Sequence, residues 1–323
     1  MTMLALAGDT MLGRGVGEHL ATHPARTLFG ADLLEVLATT DGTLLNLECC
    51  ISTRGEPWPG RVFHFRAPPS AVEVLEVLGV RGVTLANNHA MDFGEQALLD
   101  TLDHLQRAGI AVAGAGPDMA AARAPMSITV GPHAITVVSF SDHPAEYAAT
   151  AVHPGVAWVD PADTVPDWLR EDVRDLSRPG AFVLVSPHWG PNMIEDPQHR
   201  VRRAAAELIT AGASLVAGHS AHVFHGVQGR VLYDLGDFVD DYAVGPLRND
   251  LGLLWLLHID DAGPTSVEAV PLRLTFSHTA LAYGEDWKWI RERFRQACRV
   301  LGTEVTERDG RFVLQLADRQ PSR

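Results

Sequence analysis

Five segments of this 323-residue chain end an apolar run in side chains that bind cations or move protons. Asp9 follows MLALAG, Asn46 and Glu48 close TLLNLE, and Asn87, Asn88, His89 and Asp92 follow GVTLA. His188 and Trp189 follow AFVLVSP, while His219 and His222 sit in GHSAH directly after ASLVA. Carboxylate, amide oxygen and imidazole together make a mixed oxygen and nitrogen donor set, suited to divalent Mn, Fe, Zn, Mg or Ca. Taken singly, each is ordinary: a lone Asp after a strand caps a helix, and a lone buried His is a satisfied core residue. In open α/β sheets, however, ligands bind outside the carboxyl ends of strands. The repeated polar ending therefore predicts one metal site of one or two ions at such an edge, with no organic cofactor.

The elements that must supply those edges are readable from periodicity. Strands are predicted at 3–8, 42–51, 80–87, 133–141, 180–190, 213–222 and 230–238, with helices at 69–79, 94–109 and 197–212. Alternating strands and helices indicate an α/β layered fold. LGLLWLLHID and SVEAVPLRLTF read as consecutive strands without a helix between them, so mixed sheets are expected. A last helix at 286–302 places Trp287, Ile290 and Phe294 on one packing face, and a strand GRFVLQLA follows. One domain over 1–323 is expected, its core at about 1–260 and an extension at about 261–323.

Bulk properties narrow the classes. A net charge of −14, with no long Lys/Arg run, argues against nucleic acid as a partner. No apolar run is long enough to span a bilayer or to act as a signal peptide, so a cytoplasmic protein without a membrane partner is expected. Three cysteines, two of them adjacent (Cys49, Cys50), do not make a disulfide framework. GRGVG lacks the dinucleotide-binding spacing, and no P-loop, G-x-S-x-G or H-E-x-x-H occurs.

GDTMLGR, NLE, FRAPP, ANNHAMDFG, HWG, GHSAH and LYDLGDF, in that order, resemble the CapA-like family of poly-γ-glutamate capsule synthesis proteins. That family is similar to the calcineurin-like metallophosphoesterases, and the resemblance implies an α-β-β-α sandwich carrying a two-metal site. It implies Asp9 as a ligand of the first metal, Glu48 as the bridging carboxylate and Asn88 as a ligand of the second. His188, His219 and His222 complete the imidazole set, His89 is the acid/base residue, and Asp92 orients it. The chain departs from phosphoesterases of this class in two places. Met11 stands where an Asp-x-His motif has its imidazole, and NLECC stands where GD-x-x-D is usual.

Those departures open three readings. One is phosphoester hydrolysis. Another is work on a peptide or polyglutamate chain, most sharply Cα epimerisation as in the CapA-like members that resemble lasso-peptide epimerases. The third is a metal-stabilised binding protein without catalysis. Epimerisation is the reading preferred here, with a peptide as substrate. A divalent ion beside a carbonyl stabilises the charge left when the Cα proton departs, and paired acid/base groups remove and return that proton. Asp9, His89, His188, His222, Cys49 and Cys50 are candidates for that chemistry, although the two thiols also suit small buried core residues. Arg14 and Arg66 are candidates to grip a substrate carboxylate, and Asn87 and Trp189 to line the substrate.

Overall fold

The computed structural model describes residues 2–160 and 165–316. Two sheets carry the site. The first is built from β1 (Thr2–Thr10), β2 (Gly42–Leu47), β3 (Val80–Thr84) and β4 (Ala111–Ala113). The second contains β5 (Met126–Val130), β6 (His133–Ser141), β7 (Phe182–His188), β8 (Leu215–Ala217), β9 (Val227–Gln228) and β10 (Val231–Leu232). The chain then returns to the first sheet as β11 (Asp237–Val239), β12 (Leu251–Asp260), β13 (Gly263–Thr275), β14 (His278–Leu281), β15 (Thr306–Arg308) and β16 (Arg311–Gln315). Strand order is β15-β16-β13-β12-β1-β2-β3-β4 in the first sheet, with β11 on β1 and β14 on β13, and β9-β10-β8-β7-β6-β5 in the second. Both are mixed: β1, β2, β3 and β4 run parallel, whereas β12 is antiparallel to β1 and to β13, and β5 is antiparallel to β6. Residues beyond 260 thus add strands at one edge of the first sheet.

Side-chain alternation explains why the sheets stack. In β1, Leu4 and Leu6 join Ile135, Leu184, Leu215 and Trp255 in an apolar layer between the sheets. Ala5 and Ala7 face the other way, against Val16, Leu33, Leu75 and Leu98 from α1 (Arg14–Leu20), α2 (Ala31–Leu37), α3 (Val72–Val77) and α4 (Gly94–Arg107). The second sheet repeats the scheme. Phe182 and Leu184 face the first sheet, while Val183 and Val185 meet Leu169 and Leu208 of two further helices, Asp167–Leu176 and His199–Ala211. Helices outside and two sheets inside form an α-β-β-α sandwich, as expected. The last helix, Gly284–Val300, buries Ile290 and Phe294 in the inter-sheet layer against Trp255 and Phe312.

Phe294 is fully buried at the end of this layer. Phe294→Ala should cost about 3–5 kcal/mol, the usual range for a core phenylalanine truncation. Chemical denaturation checks it, and a loss under about 1 kcal/mol would mean that the helix is not part of the cooperative core.

Candidate metal centre

The parallel strands of each sheet point their carboxyl ends the same way, and the polar endings seen in the sequence meet there. Asp9 is the penultimate residue of β1. Its backbone N–H donates to Gly236 O at 2.9 Å, and it lies in register with Asp237 of β11 on one side and Asn46 of β2 on the other. The approach of β1 to the turn before β11 demands glycine at position 8, where a Cβ would come within 1.8 Å of Gly236 O. On the second sheet, His188 ends β7, and the loop after β8 supplies His219 and His222. That loop is held in uncommon backbone geometry, with φ of 111° at Ser220 and 58° at His222. The twist turns both imidazoles onto one carboxylate: His219 Nδ1 is 3.1 Å from Asp9 Oδ1, and His222 Nδ1 is 3.6 Å from Asp9 Oδ2.

Two groups of potential ligands share Asp9. One is Asp9, His222 and Asp237, and the other is Asp9, Glu48 and His188; within each, the donor atoms lie within 4.8 Å of one another. All these residues are buried. Both carboxylate oxygens of Glu48, Asn88 Oδ1, His188 Nε2 and Asp237 Oδ2 are buried without a hydrogen-bond partner. Native proteins rarely leave such atoms unsatisfied. Oxygen and imidazole donors converging without partners are what a divalent cation needs, so the residues fit the metal that the sequence predicts.

The electrostatics agree. Burial, reinforced by Asp9, pushes the Glu48 carboxyl well above its usual range. Burial and then Asp240 do the same to Asp237, and burial lifts Asp240 to about 6. Asp9 moves the other way: burial opposes its charge, but the surrounding imidazoles of His219, His188 and His222 outweigh it. Burial drives His188 well below the ordinary histidine value. For His222 burial works downward too, yet Glu48 and Asp9 leave it raised.

Beside the ligand groups stands an acid/base pair. His89 Nδ1 is 2.6 Å from Asp92 Oδ2, which also accepts from Phe65 N–H at 2.7 Å, and Tyr147 OH donates to Asp92 Oδ1 at 3.1 Å. Because a carboxylate only accepts, Nδ1 carries the proton and Nε2 offers its lone pair. That Nε2 lies 4.0 Å from Glu48 Oε1, and His188 Nε2 lies 3.8 Å from the same oxygen. Burial holds His89 below the usual value, against the pull of Asp92. It is therefore a neutral base at neutral pH.

Other candidates from the sequence fall elsewhere. Asn87 donates to Asn46 Oδ1 and Leu47 O and accepts from His89 N–H, so it braces the loop. Trp189 is buried, with its indole N–H committed to Tyr233 O at 3.0 Å. Cys49 and Cys50 are buried thiols, and burial pushes Cys49 up to about 12 and Cys50 higher still, which leaves neither as a thiolate base. Arg66 donates to the carbonyls of Arg54 and Gly55 and stacks over Phe93 at 4.1 Å. Arg14 does lie near the site, about a third exposed, paired with Asp241 at 3.2 Å and lying over Phe65, whose ring meets His89.

Four contributors escaped the sequence reading. Asp237 could have been found from the Gly-Asp of LYDLGDF, which repeats the Gly-Asp ending of β1. Asp142 and His143 follow β6 in SDHP, the same polar ending as the other strands. Here His143 Nδ1 bonds Asp142 Oδ1 at 2.5 Å, Asp142 also accepts from Gly190 N–H and Arg200, and the His143 ring stands 5.3 Å from that of His188. Arg61, in a loop without a periodic signal, lies over the Tyr147 ring and 3.8 Å from Asp92 Oδ1.

Known proteins share this sequence pattern. A probable polyglutamine synthesis accessory protein of Mycobacterium tuberculosis is 33% identical over 356 residues, covering 94% of this chain and 93% of its own. The PGA biosynthesis protein CapA of Bacillus subtilis is 28% identical over 275 residues, covering 83% of this chain and 70% of its own. Among solved structures, a 5'-nucleotidase precursor from Thermus thermophilus aligns with a TM-score of 0.45 at 15% identity, over 90% of this chain and 57% of that one. Residues 3–242 match the family described as Bacterial capsule synthesis protein PGA_cap, and the chain belongs to that family.

Proposed function

We propose that this protein is a metal-dependent acid–base enzyme acting on a peptide-linked chain, and that its reaction is inversion at a Cα by removal and return of a proton. The observation that carries this reading is the presence of two Asp–His pairs. His89–Asp92 adjoins Glu48, and His143–Asp142 adjoins His188. Inversion needs one group to take the proton and a second to deliver one to the opposite face. The names of the relatives, which speak of polyglutamine and PGA synthesis, support a peptide-linked substrate.

A divalent cation held by Asp9, Glu48, His188, His222 and Asp237 would supply positive charge to a substrate carbonyl or carboxylate oxygen. The chain's own residues do the rest. His89 accepts the proton at Nε2, and Asp92 stabilises the imidazolium that results. His143, held at Nδ1 by Asp142, would make the second transfer as the imidazolium, giving its Nε2 proton to the opposite face, and exchange with water then returns His89 and His143 to their starting forms. Arg61 beside Asp92 and Arg14 over Phe65 place cationic groups near His89, where a substrate carboxylate can pair with them.

Phosphoester hydrolysis is the second reading, because the His89–Asp92 pair beside Glu48 suffices for it without His143.

Two measurements test the assignment. Protein reloaded with a divalent cation is incubated in D2O with acidic and apolar peptides, and in parallel with an aryl phosphate. Uptake of one deuterium with change of chirality and no cleavage is expected. His89→Ala and His143→Ala should each lower it by about 10²–10⁴-fold. Phosphate release without deuterium uptake would replace inversion by hydrolysis.

The second measurement is thermal stability against pH. Asp240 at about 6, and Glu48 and Asp237 well above their ordinary values, are raised relative to the unfolded chain. Their contribution is complete below the unfolded values near 4 and is lost as pH rises through the folded ones. The cation-free protein should therefore weaken at this site from about pH 4 to pH 6 and beyond, and a saturating divalent cation should raise Tm more at about pH 7.5 than at about pH 5. Equal shifts at both pH values would remove the carboxylate cluster as the cation site.

A further inference from the structure

Asp9 divides its two oxygens between two surroundings. Oδ1 faces His219 and accepts from Asn46 Nδ2 at 2.8 Å, whereas Oδ2 faces His222 and accepts from Ser220 N–H at 3.2 Å. On the Oδ2 side, no imidazole comes from the end of β1, because position 11 is Met11, packed in the core. What stands there is Asp237. Its Oδ1 is 2.8 Å from His222 Nδ1, and its buried Oδ2 finds no donor apart from the neighbouring Asp240 carboxyl, whose own Oδ2 is likewise buried. Asp9 and Asp237 are register partners on neighbouring parallel strands, so the backbone fixes two carboxylates side by side. Like charges so placed repel unless something positive lies between them. On the other side the donor group is Asp9, Glu48 and His188, with the His219 imidazole against Asp9 Oδ1 and its backbone bridged to that of His188.

We propose that Asp237 decides which cation the centre takes, making the Asp9–His222 half a position for a hard divalent ion of the Mn or Mg class, distinct from the half at His188, which the His219 imidazole adjoins. This rests on the cation reading given above and extends it to ion choice. Carboxylate oxygens favour Mg, Ca and Mn, whereas added imidazole moves a site toward Zn and Fe. A substitution at Asp237 should therefore change both the number of ions held and their ranking, without touching His89 or His143.

The test is calorimetric titration of chelator-stripped protein with Mn, Mg and Zn separately, for the native chain, Asp237→Asn and Asp237→His, each first shown folded by circular dichroism. The native chain is expected to bind Mn. Asp237→Asn should weaken or abolish one binding event by about 10-fold or more while the other persists. Asp237→His should restore that event with the Zn-to-Mn affinity ratio raised about 10-fold or more. Should the Asn variant not fold, the His variant decides alone, since an unchanged Zn-to-Mn ratio overturns the proposal. Native protein that binds while both variants titrate identically to it defeats this inference and leaves the cation centre standing. Native protein that takes up none of the three ions defeats both.

Discussion

Everything at this site follows from placing carboxylates next to one another where water cannot reach them. Asp9, Glu48 and Asp237 are all buried, and Asp9 and Asp237 are adjacent by strand register. Two like charges about 4 Å apart repel by about 4 kcal/mol even at an effective dielectric of about 20, before the cost of dehydrating either one. The protein alone meets that cost in part, by burial that raises the Glu48 and Asp237 carboxyls well above their usual range and so favours their neutral forms, and by ringing Asp9 with imidazoles. A divalent cation meets it far better, because it removes repulsion and satisfies the orphaned oxygens together. The sandwich gives the cluster its rigidity. Asp9, Glu48 and His188 sit at or just beyond the end of a strand whose body is locked between apolar layers, and Asp237 opens a strand paired to β1, so the carboxylates cannot separate to relieve the repulsion.

The same constraint explains the irregular backbone around the site. The chain leaves the second sheet at β10 and enters the first at β11 within a few residues, and Asp234 makes that crossing possible. Its carboxylate accepts from Ala221 N–H at 2.8 Å and from Gly236 N–H at 2.9 Å, tying the histidine loop to the turn before Asp237. Ligands from both sheets are thereby coupled through one side chain. The left-handed residue His222 and the strained Ser220 lie in the loop so tied, where the surrounding bonds over-determine an otherwise unfavourable conformation.

Much of this was legible from sequence, and the failures have physical causes. The runs over 133–141 and 251–260 match the observed strands because their alternation and length are set locally. GTLLNLECCI read as one strand but breaks after Leu47. Glu48 N–H still bonds Thr10 O, whereas Cys50 turns to pair with Arg66, a partner distant in sequence. RVLYDLGDF likewise reads as one strand and is two, in different sheets, because the switch depends on where the other sheet lies. Ligand types showed through since polar residues at strand ends are rare and expensive. Roles at the periphery did not, because Arg14, Arg66 and Trp189 are sorted by partners such as Asp241, Phe93 and Tyr233 that only the folded chain brings close.

The two Asp–His pairs are not equivalent, and their difference has chemical content. The His89 side chain is 8% exposed and wedged edge-on to Phe65 at 4.6 Å, while that of His143 is 33% exposed. A proton taken up by His89 is shielded from solvent by Phe65, Tyr147 and Arg61, so it is retained near the reacting carbon. A proton on His143 meets water directly and exchanges with it. In the inversion proposed above, the proton taken from one face would stay on His89, and the proton delivered to the opposite face by His143 would come from solvent. If that inversion is the reaction, the burial of one dyad and exposure of the other would put a solvent-derived hydrogen on the inverted carbon, a distinction with no counterpart in a hydrolase that uses His89 alone.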